Sequence, residues 1–98
     1  MLVRIVKLTF QDDKIADFTA HFEVHKNTIR HFEGCQFLEL YQDKNNPAIF
    51  FTYSYWENEE ALEKYRNSDV FKNIWKTVKV WFGNKPEAWS VNKLVTVE

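Results

Sequence analysis

Two glycines, two prolines and one cysteine are all that this chain of 98 residues holds of those types. With so few breakers, no linker, repeat or low-complexity segment divides it, and it reads as one domain over residues 1–98. The lone thiol, Cys35, excludes an internal disulfide and fits a reducing compartment. It follows Gly34 after a helix and lacks the pattern of a metal site, so it reads as a structural or surface thiol. No metal site is expected. Charge of one sign is missing too: 13 basic and 14 acidic residues leave a net charge of −1. A nucleic-acid or acidic-membrane surface needs a basic footprint, and none is present. Lys72, Lys76 and Lys79 lie along one helix and read as a solvated face. No apolar run approaches membrane-spanning length, and the opening "MLVRIVKLTF" is too short and strand-like for a signal peptide. A cytoplasmic protein with no membrane association is the expectation.

Aromatic residues, by contrast, are abundant: nine Phe, four Trp and four Tyr. Each buries a large area, and so small a chain can hardly hide them all in a one-sided core.

The β-branched alternation of 2–10 predicts a first strand. Asp12 and Asp13 open a helix to about Phe32, with Ile15, Phe18, Phe22, His25, Ile29 and Phe32 at the spacing of one apolar face. Gly34 stops it. Residues 36–42 and 48–56 form a hairpin across the turn "DKNNP". Asn58 caps a short helix with Glu59 and Glu60 in its first turn, and Ser68 caps the next. Phe71, Ile74, Trp75, Val78 and Phe82 form the buried stripe of that last helix. Gly83 ends it, Pro86 prevents its return, and 88–97 is the fourth strand. Strand, helix, strand, strand, helix pair, strand is the order of an α+β, ferredoxin-like βαββαβ domain. It carries a four-stranded antiparallel sheet with helices on one face.

Alternation places Leu2, Val6, Leu8 and Phe10 on one face of strand 1, and Val3 and Ile5 on the other. Strand 3 puts Phe50 and Trp56 on one side, with Phe51, Tyr53 and Tyr55 opposite. One chain's helices cover one face only, and an open apolar face of that size marks an interface. A homodimer with its sheets packed face to face is expected.

The opening "VRIVKLTF", the segment "GCQFLELYQD", the junction "YWENEEALEKYRNSDVFKNIW" and the closing "PEAWSVNKL" together resemble the antibiotic biosynthesis monooxygenase (ABM) domain family. The tryptophan followed by acidic or polar residues and Ala-Leu, here Trp56 to Leu62, is the most specific element. The resemblance covers essentially the whole chain. It implies a dimeric α+β barrel whose subunits each hold a pocket between sheet and helices. It further implies oxygenation of a small aromatic, phenolic or quinol-type substrate without metal or flavin, because the deprotonated substrate itself reduces oxygen. The protein then binds a flat ring, orients it and stabilises an anion.

Haem-degrading relatives use an Asn, a Trp and an axial His at positions that correspond here to Val6, Tyr65 and Trp75. All three differ, which argues against haem degradation. Quinol-oxidising relatives often carry a Glu and His residues where this chain has Ser54, Tyr65 and Val70. His25 interrupts the apolar stripe of helix 1, where an unpaired polar group is costly. It is either a pocket base that removes a phenolic proton or a packed histidine bonded to a neighbour. His21, one turn earlier, is the second candidate, and His31 reads as solvated. Trp56, Trp75, Phe22, Phe71, Thr52, Ser54 and His21 are the expected substrate-binding residues, with the two tryptophans reading first as core. Poverty in carboxylates and histidines keeps an alternative open: a non-catalytic dimeric module that holds a small apolar or aromatic molecule.

Overall fold

The alternating residues of β1 (Leu2–Thr9) are paired on both sides in the computed structural model, which describes residues 1–98. Its neighbours are β3 (Ile49–Trp56) and β4 (Glu87–Asn92), and β2 (Cys35–Gln42) lies beyond β3. The sheet order is therefore β2-β3-β1-β4, antiparallel throughout. Between β1 and β2 runs α1 (Ile15–Arg30), entered through a 3-10 turn at Asp12–Lys14. Between β3 and β4 lie α2 (Glu59–Arg66), α3 (Asp69–Val78) and a second 3-10 turn at Lys79–Trp81. This is the α+β, ferredoxin-like arrangement anticipated from the element order.

Both expected caps are made. Asn58 Oδ1 accepts from the Ala61 amide at 2.8 Å, and Ser68 Oγ accepts from the Phe71 amide at 3.1 Å. In the hairpin turn, Asp43 Oδ2 accepts from the amides of Asn45 and Asn46, which fixes the bend between β2 and β3.

Four boundaries depart from the sequence-based expectation. The last helix, expected to carry its stripe to Phe82, is α-helical only to Val78 and tightens into the 3-10 turn Lys79–Trp81, which leaves Phe82 in extended backbone. Helix 1 is α-helical only from Ile15, because Asp12–Lys14 forms the tighter 3-10 turn first. Strand 1 stops at Thr9, and Phe10 makes a single bridge to Phe82. Strand 4, expected over 88–97, ends at Asn92. Asn92 is opposite Leu2, the first residue of β1, so the chain beyond it runs past the end of its strand neighbour. Leu94, Val95 and Val97 in that tail are exposed.

Only 13 of the 98 residues are buried, which leaves the core small for a chain so rich in aromatics. Two apolar clusters hold most of it, with Val3, Ala48 and Ser54 buried outside both. One gathers Phe10, Phe18 and Phe50 with Leu8 and Val78, its Phe10 and Phe18 rings stacked at 4.2 Å. The other gathers Trp56, Tyr65, Leu62, Ile29 and Cys35. The opposite sheet face carries a continuous aromatic surface. Phe37 stacks on Tyr55 at 4.5 Å, Tyr53 packs edge-on against both, and Ile5 lies between Tyr53 and Trp89 in the register. No helix is long and apolar enough to cross a membrane.

Gly34 connects α1 to β2 with φ of +89°, a conformation that costs a side-chain-bearing residue about 1–2 kcal/mol. A Cβ there would also stand 2.5 Å from the Ala61 Cβ at the start of α2. Gly34→Ala should therefore lower the unfolding free energy by about 2–4 kcal/mol in urea denaturation. In an Ala61→Gly background the steric part disappears, and the cost should fall to about 1–2 kcal/mol. Equal costs in the two backgrounds would show that the α2 contact is not the constraint.

Candidate functional site: an aromatic-walled cavity between sheet and helices

Antiparallel register turns the even-numbered residues of β1 and their partners toward the helices in cross-strand rows. One row reads Leu38, Ser54, Arg4, Ser90, and the next reads Leu40, Thr52, Val6, Ala88. Serine, threonine and alanine are small, so the middle of this face is not filled from the sheet side. From the helix side, Phe22 and Ile74 are the residues that pack against both core clusters. Between the clusters a partly enclosed cavity of about 390 Å³ remains. That volume lies at the lower end of the range for small-molecule sites, roughly 300–1,000 Å³. It suits one or two fused rings.

The walls are aromatic. Trp56, Trp75, Phe18, Phe22, Tyr65 and Phe71 all line the cavity. Trp56 is 1% exposed, stacks on Tyr65 at 5.0 Å, and donates its indole N–H to Ser54 Oγ at 3.0 Å. Phe71 and Trp75, one helical turn apart on α3, lie nearly parallel at 5.8 Å and 12°. Such a pair offers a flat surface. Burial, and to a lesser extent the neighbouring Cys35, pushes the Tyr65 phenol well above its usual range. Tyr65 therefore stays protonated at neutral pH. The Cys35 thiol is itself raised by burial, which removes it as a nucleophile.

Six of the residues singled out from the sequence are thus brought together around one space: Trp56, Trp75, Phe22, Phe71, Thr52 and Ser54. The two histidines are not. His25 and His21 lie outside the lining, with ring centroids 4.3 Å apart and His21 edge-on to Trp81 at 5.7 Å. The cause is helical geometry. His25 falls three residues after Phe22 and so trails it by about 60° around the axis, enough to leave the cavity face. His31 is exposed, and none of the three histidines reaches the cavity.

Three charged residues not singled out from the sequence line it: Arg4 from β1, Arg66 from the end of α2 and Glu87 from the start of β4. Arg4 Nη1 donates to Ser90 Oγ at 2.9 Å, and Arg66 pairs with Glu63 at 2.8 Å. Burial first, then the like charge of Arg66, lower the Arg4 pKa, with Glu63 acting in the opposite direction. The guanidinium remains charged even so. The signal was present in the alternation of β1, where Arg4 interrupts the run of inward residues Leu2, Val6 and Leu8.

The sequence profile of the antibiotic biosynthesis monooxygenase family matches residues 1–77. The chain belongs to that family. Among solved structures, one described as an antibiotic biosynthesis monooxygenase superposes with a TM-score of 0.90 at 15% identity, covering 97% of this chain and 100% of that one. A conserved protein from Methanosarcina mazei Go1 gives 0.87 at 24% identity over 95% of this chain and 93% of its own. A protein from Mycobacterium tuberculosis gives 0.88 at 15% identity over 99% and 98%. At these identities the likeness is one of fold. No curated protein is significantly similar in sequence. In this ABM chain the profile match spans β1 to α3, the elements that supply nearly all of the cavity lining.

The histidine pair has a consequence for stability. Burial, followed by the charge of His25, lowers the His21 pKa from 6.5. The folded state therefore resists protonation of His21 more than the unfolded chain does. Its contribution to stability is complete above pH 6.5 and is lost as the pH falls from there through the folded-state value. In an NMR titration the His21 imidazole should have its midpoint below 6.5, and His21→Asn should reduce the loss of stability between neutral and acidic pH. A midpoint at or above the free value would overturn this account.

Proposed function

We propose that this chain is a cofactor-independent monooxygenase of a small aromatic, phenolic or quinol-type substrate, acting as a homodimer. The observation that carries the reading is the cavity, with the nearly parallel Phe71 and Trp75 as a stacking surface in a chain of the ABM family. A phenolate held there is the reductant, so no flavin or metal is needed. It passes an electron to dioxygen, the two radicals join at a ring carbon, and the hydroperoxide loses water to leave a quinone. One oxygen atom stays on the ring and the other leaves as water, carrying the hydrogens of the former C–H and O–H bonds. The protein's part is to hold the ring flat, exclude bulk water and stabilise negative charge.

A second reading, a binding module without catalysis, draws support from one feature. Glu87 is the only acidic residue of the lining, and its carboxylate pairs with Lys7 at 3.9 Å in an outward-facing row. No carboxylate or imidazole is thus aimed into the cavity as a base. Haem degradation has little to support it, because Trp75 stands where the resemblance places an axial ligand.

Homodimerisation is proposed from the aromatic outer face of Phe37, Tyr53, Tyr55, Ile5 and Trp89, together with the exposed tail residues Leu94 and Val97. Sedimentation should find a dimer at micromolar concentration and a monomer for Tyr53→Asp, since an aspartate in that seam is desolvated at a cost of several kcal/mol. A wild-type monomer would remove the dimer from the proposal.

For the activity, a panel of one- and two-ring phenols and quinols should quench tryptophan fluorescence and consume oxygen, giving products with one oxygen gained and two hydrogens lost. Trp75→Ala should weaken binding about tenfold or more, equivalent to about 1.4 kcal/mol. Because removing a packed tryptophan typically costs about 3–5 kcal/mol of stability, Trp75→Phe serves as the milder variant. Quenching without oxygen uptake across the panel would favour the binding module.

A further inference from the structure

We infer that Arg4 is the anion-recognition residue of the cavity and that the ligand it selects is a flat aromatic bearing a carboxylate. This rests on the cavity being a ligand site, as proposed above, and adds the chemical class of the ligand. Arg4 is a charge without an ion-pair partner. The protein contains five ion pairs, and Arg4 belongs to none of them. Its one side-chain hydrogen bond is the single Nη1 donation to Ser90, out of the five donors a guanidinium carries. The other charges of the lining are already answered: Arg66 by Glu63, and Glu87 by Lys7. Arg4 is therefore the one charge of the lining without an ion-pair partner, Glu63 acting on it only at a distance while paired with Arg66.

Its placement is costly without a purpose. Arg4 occupies a row of the sheet that faces the helices, flanked along the strand by Leu2 and Val6. Half-buried against aromatic walls, a guanidinium loses hydration that only an anion fully restores. The same walls strengthen its attraction for an entering negative group.

One cation selects among anions. A phosphate monoester carries nearly two charges at neutral pH and would need a second free cation, which the lining does not supply. A carboxylate carries one, and its two oxygens match the guanidinium fork. Ser54, beside Arg4 in the same row, and Ser90 on its other side add hydroxyls within the row. The carboxylate thus anchors at Arg4 while the ring extends toward Trp75 and Phe71.

The test uses 1-naphthoate and its neutral isostere 1-naphthamide, with binding read by tryptophan quenching and calorimetry. The full-length wild-type chain should bind naphthoate about tenfold or more tightly than naphthamide. Arg4→Gln should abolish that preference while leaving naphthamide affinity within about threefold, and Arg4→Lys should restore part of it. Equal wild-type affinity for the two probes would overturn the assignment of Arg4 and leave the cavity reading intact. Failure of both probes to bind would overturn the two together. Because the wild-type preference is measured without any substitution, a misfolded variant does not protect the inference.

Discussion

Trp56 and Ser54 form the contact on which the rest of this fold depends. An indole buried in an apolar cluster must still place its N–H, and the only cheap acceptor is one already on the same sheet face. Ser54, two residues earlier on β3, supplies it at 3.0 Å. The choice has two effects at once. Trp56 is satisfied and can stack on Tyr65, which fastens α2 to the end of the sheet. Ser54, being small, leaves the centre of the sheet unfilled, and that gap is the cavity. A larger residue there would close the site, and one without a hydroxyl would leave the indole unpaired.

Most of the architecture was legible in the sequence because each signal was local and repeated. Alternation fixed the strands and their two faces, while Asn58 and Ser68 marked helix starts that the hydrogen bonds bear out. What was not legible depended on neighbours in space. The end of β4 is set by where β1 begins, through the pairing of Asn92 with Leu2, and no property of residues 93–97 reveals that. His25 satisfied the three-and-four spacing, yet that spacing spans an arc wider than the cavity face. Conversely, Arg4 was visible in the alternation as a charge among inward residues.

Family membership and the site's composition constrain each other. The ABM profile accounts for the frame: a sheet, a helical layer and a space between them. Within that frame this chain keeps aromatic walls and places no imidazole in the lining. On the proposed reading, chemistry in such a space comes mostly from the bound molecule, with the protein contributing shape and the guanidinium of Arg4. The two layers of aromatic residues, one around the cavity and one on the outer sheet face, also explain the composition that first set the sequence apart.

Finally, the central position of β1 joins those two layers in a way that substitutions would not expose. Its even residues contribute Arg4, Val6 and Leu8 to the cavity, and its odd residues contribute Val3 and Ile5 to the outer face. Insertion or deletion of one residue at the start of this strand would exchange the two sets, bringing Val3 or Ile5 inward and sending the guanidinium out. The proposed ligand contact and the proposed subunit seam would be lost together, in one genetic step. The length of the strand is therefore constrained beyond the identity of any one of its residues, and a length polymorphism in β1 should be far rarer among descendants of this gene than one in the tail that follows Asn92.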